Sequence, residues 1–194
     1  FDIGLVNGLR NQLAIAVAKS DKELARSLVS TAFGMIAIIM TIILCFGSPI
    51  VLNLDWYNIL GTDIDSVPNL ISIVYISFAL FCLNFMMKFV GNVYLAMQMP
   101  AINNLLVSLG HLLSLVIIYV LTKYSSGGLL YVATAFSVSP VIVYIIAYPI
   151  TFRLVYRDLS PSISLFRKRH LSSLFNVGVQ FFILQLFGIL LFSL

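Results

Sequence analysis

Apolar stretches of membrane-spanning length recur along the whole chain, and they limit its possible folds more than any other feature. They occupy residues 1–18, about 28–54, about 67–97, 101–122, 129–152 and 174–194. The hydrocarbon core of a bilayer is roughly 30 Å thick, and a helix of about 20 apolar residues crosses it. β-Branched and aromatic residues are common in these stretches but do not alternate with polar ones at period two, which argues against a transmembrane barrel. Only 9% of residues are charged and mean hydropathy is +1.07, whereas a soluble domain carries about 25% charged residues. The expected fold is therefore all-α, a polytopic transmembrane helical bundle of about six spans. Both termini fall inside apolar stretches, so the chain reads as a fragment, and no signal peptide is visible in its first residues.

The breaks between stretches have chemical causes. Ser20 followed by Glu23 reads as a capping box, starting a helix that runs on into the second span. Pro68 sits where a helix can begin, and Pro100 separates the third and fourth spans. Ser125-Ser126-Gly127-Gly128 reads as a tight turn, and Pro140 should kink the fifth span. Cys45 and Cys82 lie in separate apolar stretches and read as small packing residues, with no disulfide and no metal site expected.

Loop charge sets the orientation. Lys19, Lys22 and Arg26 lie in the first loop, and Arg153, Arg157, Arg167, Lys168 and Arg169 in the last. The intervening loops carry Asp55, Asp63 and Asp65, with Lys123 their one basic residue. The positive-inside rule makes segments 19–27 and 153–172 cytoplasmic, and 55–66 and 123–128 external. Trp56, Tyr57 and Tyr124 then mark the outer interface, and Tyr148 and Tyr156 the inner one. Segment 153–172 mixes basic residues with Leu154, Leu159, Ile163 and Phe166, which suits a piece lying along the cytoplasmic headgroups.

Polar residues inside the spans are costly in lipid and point to a bundle interior or a wet cavity. Asn7, Arg10 and Asn11 share one side of a helix by the i, i+3, i+4 rule. Asn84, Lys88 and Asn92 recur every four residues, Asn104, Ser108 and His111 form a weaker stripe, and the last span contributes Asn176 and Gln180. Arg10 and Lys88 can also be read as snorkelling to the inner interface, and the amides as glue between helices. Asp2 reads either as an interfacial residue or as an acidic group facing the cavity. Taken together the stripes describe helices around a hydrated cavity whose fixed charges are positive, which suits an anionic group such as a pyrophosphate.

The segment Phe1-Asp2-Ile3-Gly4-Leu5-Val6-Asn7-Gly8-Leu9-Arg10, with the following AVAKSDKELARSLVSTAF, resembles the second helix and loop of polysaccharide-biosynthesis flippases. These are the Wzx-type O-antigen transporters of the MOP superfamily, which also holds the MATE exporters and the lipid II flippases. Asn176-Val177-Gly178-Val179-Gln180-Phe181-Phe182-Ile183-Leu184-Gln185 is similar to the opening of that family's seventh helix. The resemblance implies that 1–152 is an N-terminal transmembrane lobe holding the family's helices two to six. It makes 153–172 the amphipathic inter-lobe linker and 173–194 the truncated first helix of the second lobe.

The resemblance further implies a bacterial inner-membrane transporter, not an enzyme, that works by alternating access without a cofactor. Its cargo would be undecaprenyl-pyrophosphate-linked oligosaccharide, moved to the periplasmic face for O-antigen, capsule or exopolysaccharide synthesis. Its partners would be that lipid-linked sugar, membrane lipids and polysaccharide polymerase or assembly proteins, with no nucleic acid. Arg10 and Lys88 would meet the headgroup. Asn7, Asn11, Asn84, Asn92, Asn104, His111, Asn176 and Gln180 would line the cavity or touch sugar, and Asp2 would be the candidate for ion coupling. Three other readings stand beside this one, among them a purely structural membrane subunit, which the repeated polar stripes disfavour. A MATE-like cation antiporter calls for an acidic cavity, for which Asp2 alone speaks. A membrane enzyme of glycan assembly calls for a substantial external loop bearing acidic, His or Arg residues, which the short external loops do not offer.

Overall fold

The computed structural model describes residues 5–124, 128–167 and 171 of the chain. Helix α1 is Leu5–Ala18, α2 Lys22–Asn53, α3 Trp56–Leu60, α4 Leu70–Met87, α5 Phe89–Ala96, α6 Pro100–Tyr124 and α7 Leu129–Pro149. A π-helical turn, Ile150–Val155, continues α7, and two 3-10 turns follow at Arg157–Leu159 and Ile163–Leu165. The described residues include no strand, and the protein is all-α.

Four of these stretches are long and apolar enough to cross a membrane: Lys22–Asn53, Leu70–Ala96, Pro100–Tyr124 and Leu129–Val155. Only 11% of the most apolar window of α6 is buried. Phe46, Leu115, Tyr119 and Ile146 are each more than half exposed. Exposed to water, such surface would forgo about 25 cal/mol per Å² of the stabilisation that burial brings; against lipid tails that penalty vanishes. This is a membrane protein. Of the six expected spans, the last lies outside the described residues. The described part of the first, α1, has 14 residues and is about 21 Å long at the helical rise, short of a full crossing.

The chain divides into two compact units. The first takes its residues from the stretches up to Ile36, Phe89–Asn103 and from Pro149 onward; the second is Ala37–Lys88 with Asn104–Tyr148.

At the centre of the first unit lies α5, with Phe89, Val90, Val93, Tyr94 and Ala96 buried. It packs on α1, which buries Leu9, Leu13 and Ala16, the i, i+4, i+7 stripe of an amphipathic helix. The Phe33 and Phe89 rings lie 5.3 Å apart, within the range of a favourable aromatic pair. Thr151 of the π-helical turn shares a 3.0 Å hydrogen bond with the Tyr94 hydroxyl. The Tyr156 ring packs 5.7 Å from that of Tyr94 and its hydroxyl reaches Met99 Sδ. Tyr156 is thus tied into protein packing, a role that its reading as an interface marker omitted.

The turn between α1 and α2 corrects the sequence expectation. Ser20 does not cap α2; it closes α1. Its backbone is left-handed, with φ of 57°, and the Ser20 and Asp21 amides bond back to Val17 and Ala16 carbonyls. That pair of bonds is a Schellman motif. The cap of α2 is Asp21, whose carboxylate accepts the Leu24 amide at 2.9 Å. Gln98, with φ of 58°, closes α5 in the same way, through the Gln98 and Met99 amides. Pro100 then opens α6 at a position where a missing amide hydrogen costs nothing.

In the second unit, Asp55 caps the short α3 through the Asn58 amide, and Gly61, with φ of 60°, closes it. Trp56 donates its indole N–H to the Val51 carbonyl, and the Tyr57 hydroxyl donates to Val67 O while accepting the Leu70 amide. Helix α7 runs from Leu129 to Pro149 with Pro140 inside it. A side chain on Gly110 of α6 would meet the Pro140 Cα at 3.1 Å, so glycine permits the close approach of these two helices. Cys82 is buried as expected of a packing residue, but Cys45 is exposed, a correction that follows from its place on the outward side of α2.

Candidate functional site

The residues singled out from sequence divide between the two units. Arg10, Asn11 and Asn92 belong to the first; Asn84, Lys88, Asn104 and His111 belong to the second. Arg10 and Asn11 are exposed on the side of α1 away from its buried Leu9 and Leu13. Asn92 is buried in α5. Lys88 is half-buried at the one-residue interruption between α4 and α5. One turn earlier, Asn84 Oδ1 is buried with no hydrogen-bond partner among the described residues, as is Ser114 Oγ of α6. His111 is exposed, its ring 6.3 Å from that of Phe136. Asn104 is exposed on α6. The side chain of Asn7, and Asp2, Asn176 and Gln180 altogether, lie outside what is described.

A second constellation assembles in the first unit from two segments far apart in sequence. Residues 158–167 run as a strap along the start of α2. Lys22 Nζ donates to Asp158 Oδ2 at 2.7 Å. Arg26 Nε donates to the Ser160 carbonyl at 3.0 Å. Ser27 donates its hydroxyl to the Leu165 carbonyl at 3.1 Å. Ser30 Oγ accepts the Ser162 amide at 3.0 Å, and Thr31 Oγ1 accepts the Arg167 amide at 3.1 Å.

The periodicity of α2 explains the fit. Lys22, Arg26, Ser30 and Gly34 recur every four residues, and Ser27 and Thr31 lie beside them on the same face. The hydroxyls of Ser30 and Thr31 donate to carbonyls one turn earlier, at Arg26 and Ser27. This leaves oxygen lone pairs free to accept from the strap, as a hydroxyl can do both. At Gly34 an added Cβ would lie 2.9 Å from the Phe166 ring, so the missing side chain is the seat of that ring. No span-length or charge rule reports such a face. Its signal is the row Ser27, Ser30, Thr31, Gly34 at i, i+3, i+4 and i+7, which a search for small residues along α2 would have found.

Beside the strap opens a cleft of about 930 Å³, lined by Lys22, Glu23, Arg26, Phe152, Arg153, Arg157, Asp158, Ser160 and Leu165. The lining places four basic groups against two carboxylates, Glu23 and Asp158. The Lys22 ammonium, hydrogen-bonded to Asp158, holds that carboxyl below the usual carboxylate range, with smaller help from Arg157 and Arg26. One carboxylate is therefore already paired. Arg153 and Arg157 are exposed and spaced four apart across the π-helical turn. Widened turns of this kind recur at functional sites.

Comparison of the chain with protein-family models, with curated proteins and with solved structures finds no match.

Proposed function

We propose that this protein is a membrane transporter that flips undecaprenyl-pyrophosphate-linked oligosaccharide from the cytoplasmic to the periplasmic face of a bacterial inner membrane. The observation that carries the reading is polar chemistry set into an apolar span. Lys88 interrupts the 27-residue stretch Leu70–Ala96, and the buried oxygen of Asn84 one turn before it has no partner among the described residues. A cation and an unfilled acceptor within an apolar span are expensive, and residues of this kind mark substrate pathways in membrane proteins. Arg10 and Lys88 are each candidates for the headgroup, since guanidinium and ammonium groups pair with phosphate oxygens. Asn84, Asn92 and the other amides would hydrogen-bond sugar hydroxyls.

The sequence resemblance to Wzx-type flippases supplies the cargo. Export of a cation fits less well, because the four spans hold one acidic residue, Glu23, and it lies in the first turn of α2. The test is to delete the gene and measure where lipid-linked oligosaccharide collects. Accumulation on the cytoplasmic face supports flipping. Normal glycan export combined with retention of cationic drugs would replace this reading with cation export.

A further inference from the structure

The cleft beside the strap is not among the residues assigned to transport, and its chemistry is that of an anion site. Lys22 and Arg26 stand one turn apart on α2, and Arg153 and Arg157 stand four apart on the other wall. Bringing like charges to one cleft is unfavourable unless something negative answers them. Asp158 answers Lys22. Glu23 is the second carboxylate of the lining, and Asp158 also acts, more weakly, on Arg157 and Arg26, so four cations meet two carboxylates.

Arg26 is held in place by its bond from Nε to the Ser160 carbonyl. Its other two nitrogens have no acceptor among the described residues, and neither Arg153 nor Arg157 makes a side-chain hydrogen bond there. A guanidinium with one nitrogen anchored and the rest free is already oriented for phosphate oxygens, which it binds in pairs. Near these residues in sequence, two aliphatic side chains are bare: Leu154, next to Arg153, is 77% exposed, and Ile163 of the strap is 97% exposed. Basic groups beside exposed aliphatic side chains are the composition of a surface seated among lipid headgroups.

We propose that Arg26, Arg153 and Arg157 form a phosphate-binding site that takes the headgroup of an anionic lipid. The guanidinium groups hold the phosphate, and Leu154 and Ile163 reach toward the acyl boundary. A soluble phosphate offers the same chemistry to the arginines but leaves the exposed Leu154 and Ile163 unused. This site does not rest on the transport reading, and it stands or falls separately from it.

The experiment measures binding of phosphatidylglycerol and of phosphatidylcholine to the purified chain in detergent by native mass spectrometry, with inorganic pyrophosphate as soluble competitor. Phosphatidylglycerol should be retained in preference. Arg153→Gln/Arg157→Gln should weaken its binding about thirtyfold, at roughly a factor of five for each surface cation. Arg153→Lys/Arg157→Lys should recover most of that loss. Both positions are exposed, and a helical far-UV spectrum with a monodisperse elution profile confirms that the variants fold. Displacement by millimolar pyrophosphate would assign the site to phosphate from either source; failure of pyrophosphate to compete would assign it to lipid. Equal retention of the two lipids, or undiminished phosphatidylglycerol binding in the glutamine variant, would overturn the proposal.

Discussion

Removing the hydroxyls of α2 that face the strap should release it while leaving the helices in place. Thr31→Val keeps shape and volume but deletes the oxygen that accepts the Arg167 amide at 3.1 Å. Ser30→Ala deletes the acceptor of the Ser162 amide at 3.0 Å, and Ser27→Ala the donor to the Leu165 carbonyl at 3.1 Å. Each lost hydrogen bond costs about 1 kcal/mol: the three hydroxyls are buried, but their partners on the strap are half-buried or exposed, and water can partly replace the lost bond there. One substitution should then raise the population of the opened strap about fivefold. The three together should cost about 3 kcal/mol, or roughly a hundredfold, less whatever coupling neighbouring contacts share.

Trypsin reads this directly, because Arg157 and Arg167 sit in or beside the strap. When reclosing outpaces cleavage, the rate follows the open population. In detergent micelles, cleavage after Arg157 and Arg167, followed by mass spectrometry, should quicken about fivefold in Thr31→Val and far more in the triple variant. Equal rates in wild type and triple variant would refute the claim that these hydroxyls hold the strap.

Three further outcomes follow from local geometry. Asp21→Ala removes the carboxylate that caps α2 and should destabilise the protein by about 0.5–2 kcal/mol, whereas Ser20→Ala leaves that cap intact; thermal unfolding of the two variants separates these roles. Gly110→Leu should lower stability by about 1–3 kcal/mol, because the new side chain meets the Pro140 backbone at 3.1 Å rather than a movable side-chain tip; an unaltered melting temperature would mean the two helices are not in contact. Strap protection should fall in acid: Lys22 holds the Asp158 carboxyl below its ordinary 3.8, so their pairing is fully present above that value and lost as pH falls through the lowered one, and it is lost again in strong alkali as pH rises through the raised value of Lys22. Trypsin is inactive there, so pepsin serves below about pH 4, and hydrogen exchange should show an unchanged strap between about pH 5 and 8.

How much of this was legible in the sequence depends on the kind of signal. Spans are written in residue type and length, so α2, the α4–α5 stretch, α6 and α7 are found from hydropathy alone. Pro100 marks the start of α6 because its ring fixes the backbone wherever it stands. The cap of α2 was misplaced by one residue because Ser20 and Asp21 are both good capping residues. The choice between them is made by the left-handed backbone of Ser20 as it closes α1, a geometry that residue type does not encode. The strap was missed for a related reason. It reads α2 through backbone amides and carbonyls, which every residue carries, and its footprint is a row of small side chains rather than a charged motif. Of the candidate site, sequence located the polar groups that lipid should exclude, such as Asn84 and Lys88. It did not distinguish buried Asn92 from exposed Asn11, because that depends on which helix packs over each.

Under the proposed transport function, the fixed positive charges of Arg10 and Lys88 handle an anionic lipid-linked sugar. The most direct measurement replaces Arg10 and Lys88 with alanine, separately and together, and quantifies surface glycan alongside the amount of membrane-inserted protein. Normal insertion is expected, with surface glycan reduced in each variant and lowest in the double one, while lipid-linked oligosaccharide builds up inside the cell. Wild-type glycan levels in the double variant would contradict it.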